Sequence, residues 1–207
     1  MVATVTSEPV GVLAGPVPPP VESRTRVLLV GTAFACAAIA MMFVGLIGVY
    51  LSMRTATLTA GTKWIVADVV MPLTQPNMML FTLVLSVFTI QWAVVSIKND
   101  DRPNTYLALG VSLLLAFSFL VEGGYLYALM KWNLMATAPQ ATLIYAITGA
   151  QVAMVISAMV FVILMGFRAL AGSFSSRQHD GIAAAALYWH VMVGLYAVIW
   201  FAIFVTK

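Results

Sequence analysis

Glu122, Gln151, His179, His190 and Cys36 are the side chains with the most chemistry to offer, and their placement limits it. A haem or copper centre needs several precisely placed nitrogen or sulfur ligands. Two separated histidines and one cysteine cannot supply a haem-copper or dinuclear copper centre. The chain has no phosphate-binding glycine loop, no metalloprotease helix motif and no serine-hydrolase motif. No metal, cofactor or catalytic residue is therefore expected in this chain. Cys36 lies in an apolar span and reads as a small buried hydrophobe.

Glu122 is the one carboxylate inside a long apolar stretch. An ionisable group there is either a pin between helices or part of a proton-linked or partner-binding site. Ser118 falls one turn earlier on the same helical face. Gln151, in the following apolar stretch, is a candidate hydrogen-bond donor to Glu122. The Gly123-Gly124 pair predicts a close backbone approach at that level.

The elements that must position these residues are membrane helices. Apolar residues make up 62% of the chain and charged residues 8%, against about a quarter charged in soluble domains. One soluble core cannot hide so much apolar surface, so lipid is the solvent. The few basic residues are scattered singly, which excludes a nucleic-acid partner. Five stretches reach the roughly 20 apolar residues a span requires. They are Val27 to Met53, Asn77 to Ile97, Tyr106 to Met130, Ala141 to Ala171 and Ile182 to Val205. The fold class is thus all-α: a polytopic membrane protein with five transmembrane helices in a bundle, over residues 26–207.

Residues 1–25 are Pro-rich, lack the basic and apolar regions of a signal peptide, and are expected to form a flexible tail. The polar turn Lys98 to Asn104 makes the second and third spans antiparallel neighbours. The segment Arg54 to Gln75 has room for extra structure, with Trp64 to Asp68 expected at the interface. Tyr188, Trp189, Tyr196 and Trp200, with Trp64 and Trp132, suit anchoring or packing. Gly149, Ala153 and Ser157 form a ridge of small residues that suits close helix packing. Five spans place residues 26 and 206 on opposite sides. Arg24, Arg26, Lys98, Arg102, Arg168 and Arg177 share the N-terminal side. Arg54, Lys63, Lys131 and Lys207 share the other, so the positive-inside rule predicts a cytoplasmic N-terminus.

The string Ala183 to Ala186, Leu187, Tyr188, Trp189, His190 resembles the last helix of subunit III of the haem-copper respiratory oxidases. Met41 to Leu46 with Tyr50 and Arg54 is similar to that family's first core helix. Pro76-Asn77 with Leu80, Ser86 and Gln91-Trp92 is similar to the next, and Thr148-Gly149 and Phe167-Arg168 to the penultimate one. The resemblance covers Val27 to Lys207 and matches the shorter bacterial five-helix form. The chain departs from the family at Ile39, Ala183 and Val193, where the family carries acidic residues. Tyr125 stands at another acidic position, with Glu122 nearby. Gly149-Ala-Gln151-Val-Ala-Met154 replaces a Gly-x-His-x-x-His run.

The resemblance implies a non-catalytic subunit that contacts oxidase subunit I, binds phospholipid and steadies the enzyme during oxygen reduction coupled to proton pumping. Haem and copper would sit in partner subunits, and a larger respiratory supercomplex is a further implied partner. Tyr188, Trp189 and His190 would be packing residues. Arg168 resembles a phospholipid headgroup clamp. A guanidinium at the interface suits a phosphate, and it also suits simple snorkelling to water. The implied location is a bacterial cell membrane. Two readings from other classes remain open: a small independent transporter or channel lined by Glu122 and Gln151, and a scaffold subunit of another respiratory complex.

Overall fold

The computed structural model describes residues 26–64, 72–130, 139–172 and 179–206. The tail of residues 1–25, Lys131, Trp132, Arg177, Lys207 and the 65–68 part of the interfacial segment lie outside them. The chain runs through α1 (Val27–Thr59), α2 (Thr74–Lys98), α3 (Arg102–Met130), α4 (Pro139–Leu170) and α5 (Asp180–Ile199). A π-helical turn, Trp200–Val205, completes the last helix. Five helices are long and apolar enough to cross a bilayer, and the described residues contain no strand.

Helix ends follow local chemistry. Helix α1 continues beyond the apolar run that ends at Met53. The hydroxyls of Thr55, Thr57 and Thr59 each bond a carbonyl four residues back, so these polar residues remain compatible with helix. Gly61 then takes a left-handed φ of 74° and the Thr62 N–H closes on Thr57 O at 3.2 Å. This is the usual glycine stop for a helix. The α2–α3 turn is short because Asp100 takes a φ of 55°. Asp101 Oδ1 accepts the Asn104 N–H at 3.3 Å and caps α3. Pro103 fits the first turn of that helix, where an amide donor would have no partner.

Helices α2 and α3 pack along one another as the expected antiparallel pair. Helix α5 is the centre of the bundle and touches α1, α2 and α4. Its apolar window is 50% buried, against 17% for α1 at the periphery. Ala184, Ala185 and Ala186 are buried and let neighbouring helices come close, while Trp189, one turn on, is fully enclosed. The Arg26 N–H, donating to Asp180 Oδ2 at 3.0 Å, fastens the start of α1 to the start of α5. At the other face, Arg54 Nη1 donates to Thr206 Oγ1 at 2.8 Å.

Several expectations change in detail. Gly123 is buried, and a Cβ there would lie 3.3 Å from the Met79 methyl, as a close approach requires. Gly124 instead faces open space. Trp64, just past the end of α1, is buried against the bundle. It folds back so that its ring meets Tyr50 edge-on at 5.4 Å and its Nε1 donates to Tyr50 Oη at 3.2 Å. The small-residue ridge is not sealed by a neighbouring helix. Gly149, Ala153 and Ser157 are exposed, and Ala153 and Ser157 line an open groove of about 360 Å³ between α1 and α4.

Candidate functional site

The polar side chains within the bundle form a set of interhelical hydrogen bonds, most of which end on α5 or α2. A serine or threonine in a helix has one proton, and it readily donates that proton to a carbonyl of its own preceding turn. Its lone pairs then remain for a donor on another helix. Ser86 on α2 donates to Leu83 O at 2.6 Å and accepts the Trp189 indole N–H at 2.8 Å. Thr148 on α4 donates to Ile144 O at 2.7 Å and accepts the Tyr127 hydroxyl at 2.7 Å. Ser157 donates to Met154 O at 2.8 Å and lies 2.6 Å from the Tyr188 hydroxyl, which is left to act as donor. Thr206 donates to Ala202 O and accepts from Arg54.

The terminal signature is therefore a set of packing contacts. Trp189 joins α5 to α2, Tyr188 joins α5 to α4, and His190 turns Nδ1 back to Ala186 O within α5. Beyond them Tyr196 Oη reaches Pro76 O at 3.4 Å, and the Trp200 indole donates to Asn77 Oδ1 at 2.7 Å. Asn77 and Ser86, noted in the sequence only as positions resembling a known helix, are thus the acceptors for two indoles of the last helix. For Ser86, which is fully buried, the sequence hint was a polar residue within an apolar helix; Asn77 is exposed near the helix start. Which donor each meets depends on tertiary packing.

Glu122 and Gln151 are placed differently from expectation. Gln151 is 1% exposed, and its Nε2 donates to Met192 O at 3.1 Å, not to Glu122. It faces α5, whereas Glu122 faces α2. The Glu122 Oε1 lies 3.3 Å from Thr82 Oγ1, which also lies 3.0 Å from Met78 O. One threonine proton cannot fully serve two acceptors. Ser118, on the same helix, is exposed and takes no part among the contacts described here. Glu122 Oε2 and Gln151 Oε1 are buried without a protein partner.

Arg168 is exposed in the last turn of α4, beside exposed Phe167. His179 sits at the N-terminal boundary of α5, and His190 lies three turns along it. Cys36 is buried in α1. No group of three or more His, Cys, Asp or Glu among the described residues is arranged to hold a metal ion. The geometry is suited to holding five helices in one arrangement.

Residues 22–207 match the family model described as cytochrome c oxidase subunit III. The chain is 29% identical over 133 residues to cytochrome c oxidase subunit 3 of Pelomedusa subrufa, covering 64% of this chain and 51% of that one. It is 29% identical over 135 residues to the subunit 3 of Salmo salar, covering 65% and 50%. A protein of Rickettsia conorii described as a probable cytochrome c oxidase subunit 3 is 31% identical over 126 residues, covering 59% and 42%. The chain thus spans about half the length of the curated relatives it matches.

Two outcomes test this site. Ser86→Ala and Trp189→Phe, singly and together, form a double-mutant cycle in detergent-solubilised protein. The expected coupling is about 0.6 kcal/mol and up to ~2 kcal/mol, the range for interhelical hydrogen bonds in membranes. Strictly additive losses would deny the α5–α2 bond. Glu122→Gln keeps an acceptor for the Thr82 hydroxyl, so its assembly and thermal midpoint should match the parent protein. Intact assembly with lost sustained turnover would instead assign Glu122 to proton traffic.

Proposed function

The chain belongs to the cytochrome c oxidase subunit III family, and on that premise we propose that it is the non-catalytic subunit III of a bacterial respiratory haem-copper oxidase. The observation that carries the reading is the family match over residues 22–207, which includes the buried Tyr188-Trp189 pair at the centre of the bundle. The bundle's polar groups join helix to helix, as suits a subunit that steadies its neighbours. Oxygen reduction and proton pumping take place in partner subunits, which carry the haem and copper. This chain supplies a rigid membrane wall against the catalytic subunit. Its N-terminus is cytoplasmic, following the distribution of basic residues.

Phospholipid is the second ligand of this reading. Arg168 ends α4 where the helix leaves the apolar layer, with Phe167 exposed beside it. A guanidinium there forms a fork of charge-assisted hydrogen bonds with a phosphate, and the aromatic ring covers the first carbons of the acyl chains.

Mild-detergent purification through a C-terminal tag, with a reduced-minus-oxidised visible spectrum, tests the assignment. Haem bands and a large His-rich companion are expected. A colourless preparation with no companion would overturn the reading and turn attention to transport in liposomes. In the same preparation Arg168→Ala should lower tightly bound phospholipid per haem while leaving the subunits together. Unchanged lipid content would leave Arg168 as a snorkelling residue.

A further inference from the structure

One outer face of the bundle is unlike a surface made for lipid. Phe81, Val84, Phe88, Gln91 and Val95 follow one another along α2 at alternating spacings of three and four, and all are exposed. That is the spacing of a seam that meets another helix over several turns. Gln91 stands in this seam two turns before Lys98, the end of α2, so it lies about 10 Å inside the helix end at the usual rise per residue. An amide turned to hydrocarbon loses its hydrogen bonds at a cost of several kcal/mol. Elsewhere on α2, Thr82, Ser86 and Thr89 turn their polar atoms toward Glu122, Trp189 and Ser112. The outer face of α1 gives the contrast: from Val27 to Leu51 its exposed residues are aliphatic, Phe, Met, Ala or Gly. That face is made for acyl chains.

We propose that the Phe81–Val95 face of α2 docks one transmembrane helix of another oxidase subunit, and that this helix offers a hydrogen-bonding side chain to Gln91. The inference rests on the oxidase-subunit reading and adds which face meets the partner. Lys98 argues against a second copy of this chain as occupant. It continues the same seam three residues after Val95 and is exposed. Two copies related by an axis along the membrane normal would run parallel and stack Lys98 on Lys98 as well as Gln91 on Gln91. A partner helix with a carboxylate opposite Lys98 turns that repulsion into attraction.

The test places a benzophenone photo-crosslinker at Phe88, or at Phe34 on α1, in the complex assembled in native membranes. The Phe88 variant should give one adduct whose mass is this chain plus another oxidase subunit, and the Phe34 variant should give none. Gln91→Leu should lower both that adduct and the co-purified partner roughly threefold to tenfold, the effect of one interhelical hydrogen bond. Gln91→Asn should restore part of the loss. An adduct of twice this chain's mass would overturn the proposal in favour of a second copy. A partner adduct from Phe34 but not Phe88, in a preparation that still carries haem, would overturn the face and leave the oxidase reading standing. A colourless preparation without companions would overturn both.

Discussion

A serine or threonine hydroxyl has one proton, and at four positions in this bundle that proton is committed to the residue's own helix. Ser86, Thr148, Ser157 and Thr206 each donate to a carbonyl one turn back. Each is then an acceptor with a fixed direction, and each meets a donor from elsewhere: Trp189, Tyr127, Tyr188 or Arg54. Lipid offers no competing partner, so a donor that misses its acceptor remains unsatisfied. The geometry of the whole bundle follows from meeting these one-way bonds together.

Apolar packing sets how closely the helices approach, and it does so without a large difference in solvent. Acyl chains are as apolar as leucine, so burying a leucine between helices gains mainly close van der Waals contact. Small residues allow that contact where it is densest. The buried alanines of α5 let neighbouring helices close in, and Gly123 makes room for Met79 at the α2–α3 contact. Trp189 is fully buried between them and has both roles: it fills volume and aims its indole N–H at Ser86. The aromatic residues of the last helix thus act as fasteners more than as interface anchors. Only near the helix end does Trp200 take the anchor's half-exposed position, and there too it is bonded, to Asn77.

This arrangement suits a helical bundle held in one form by its own side chains. The Gln151 amide crosses from α4 to the Met192 carbonyl on α5. Glu122 meets Thr82 on the adjoining helix. Both are more simply explained as cross-links than as steps in a path, because they face different helices.

The sequence alone determined that the fold is all-α, that lipid is its solvent, and that it has five spans with a polar turn between the second and third. Those properties follow from runs of about 20 apolar residues and from where charges and prolines interrupt them. The resemblance of the last helix was also legible, because Tyr188, Trp189 and His190 follow an alanine run in a fixed order. The lengths of α1 and the π-helical end of α5 were not. The first depends on threonine hydroxyls bonding back into the helix, and the second on a register that apolar periodicity does not encode. The pairing of donors with acceptors was beyond the sequence as well. Glu122 and Gln151 both lie inside apolar helices, yet one turns to α2 and the other to α5. Only the rotation of each helix about its axis decides this, and that rotation is fixed by every contact around the helix at once.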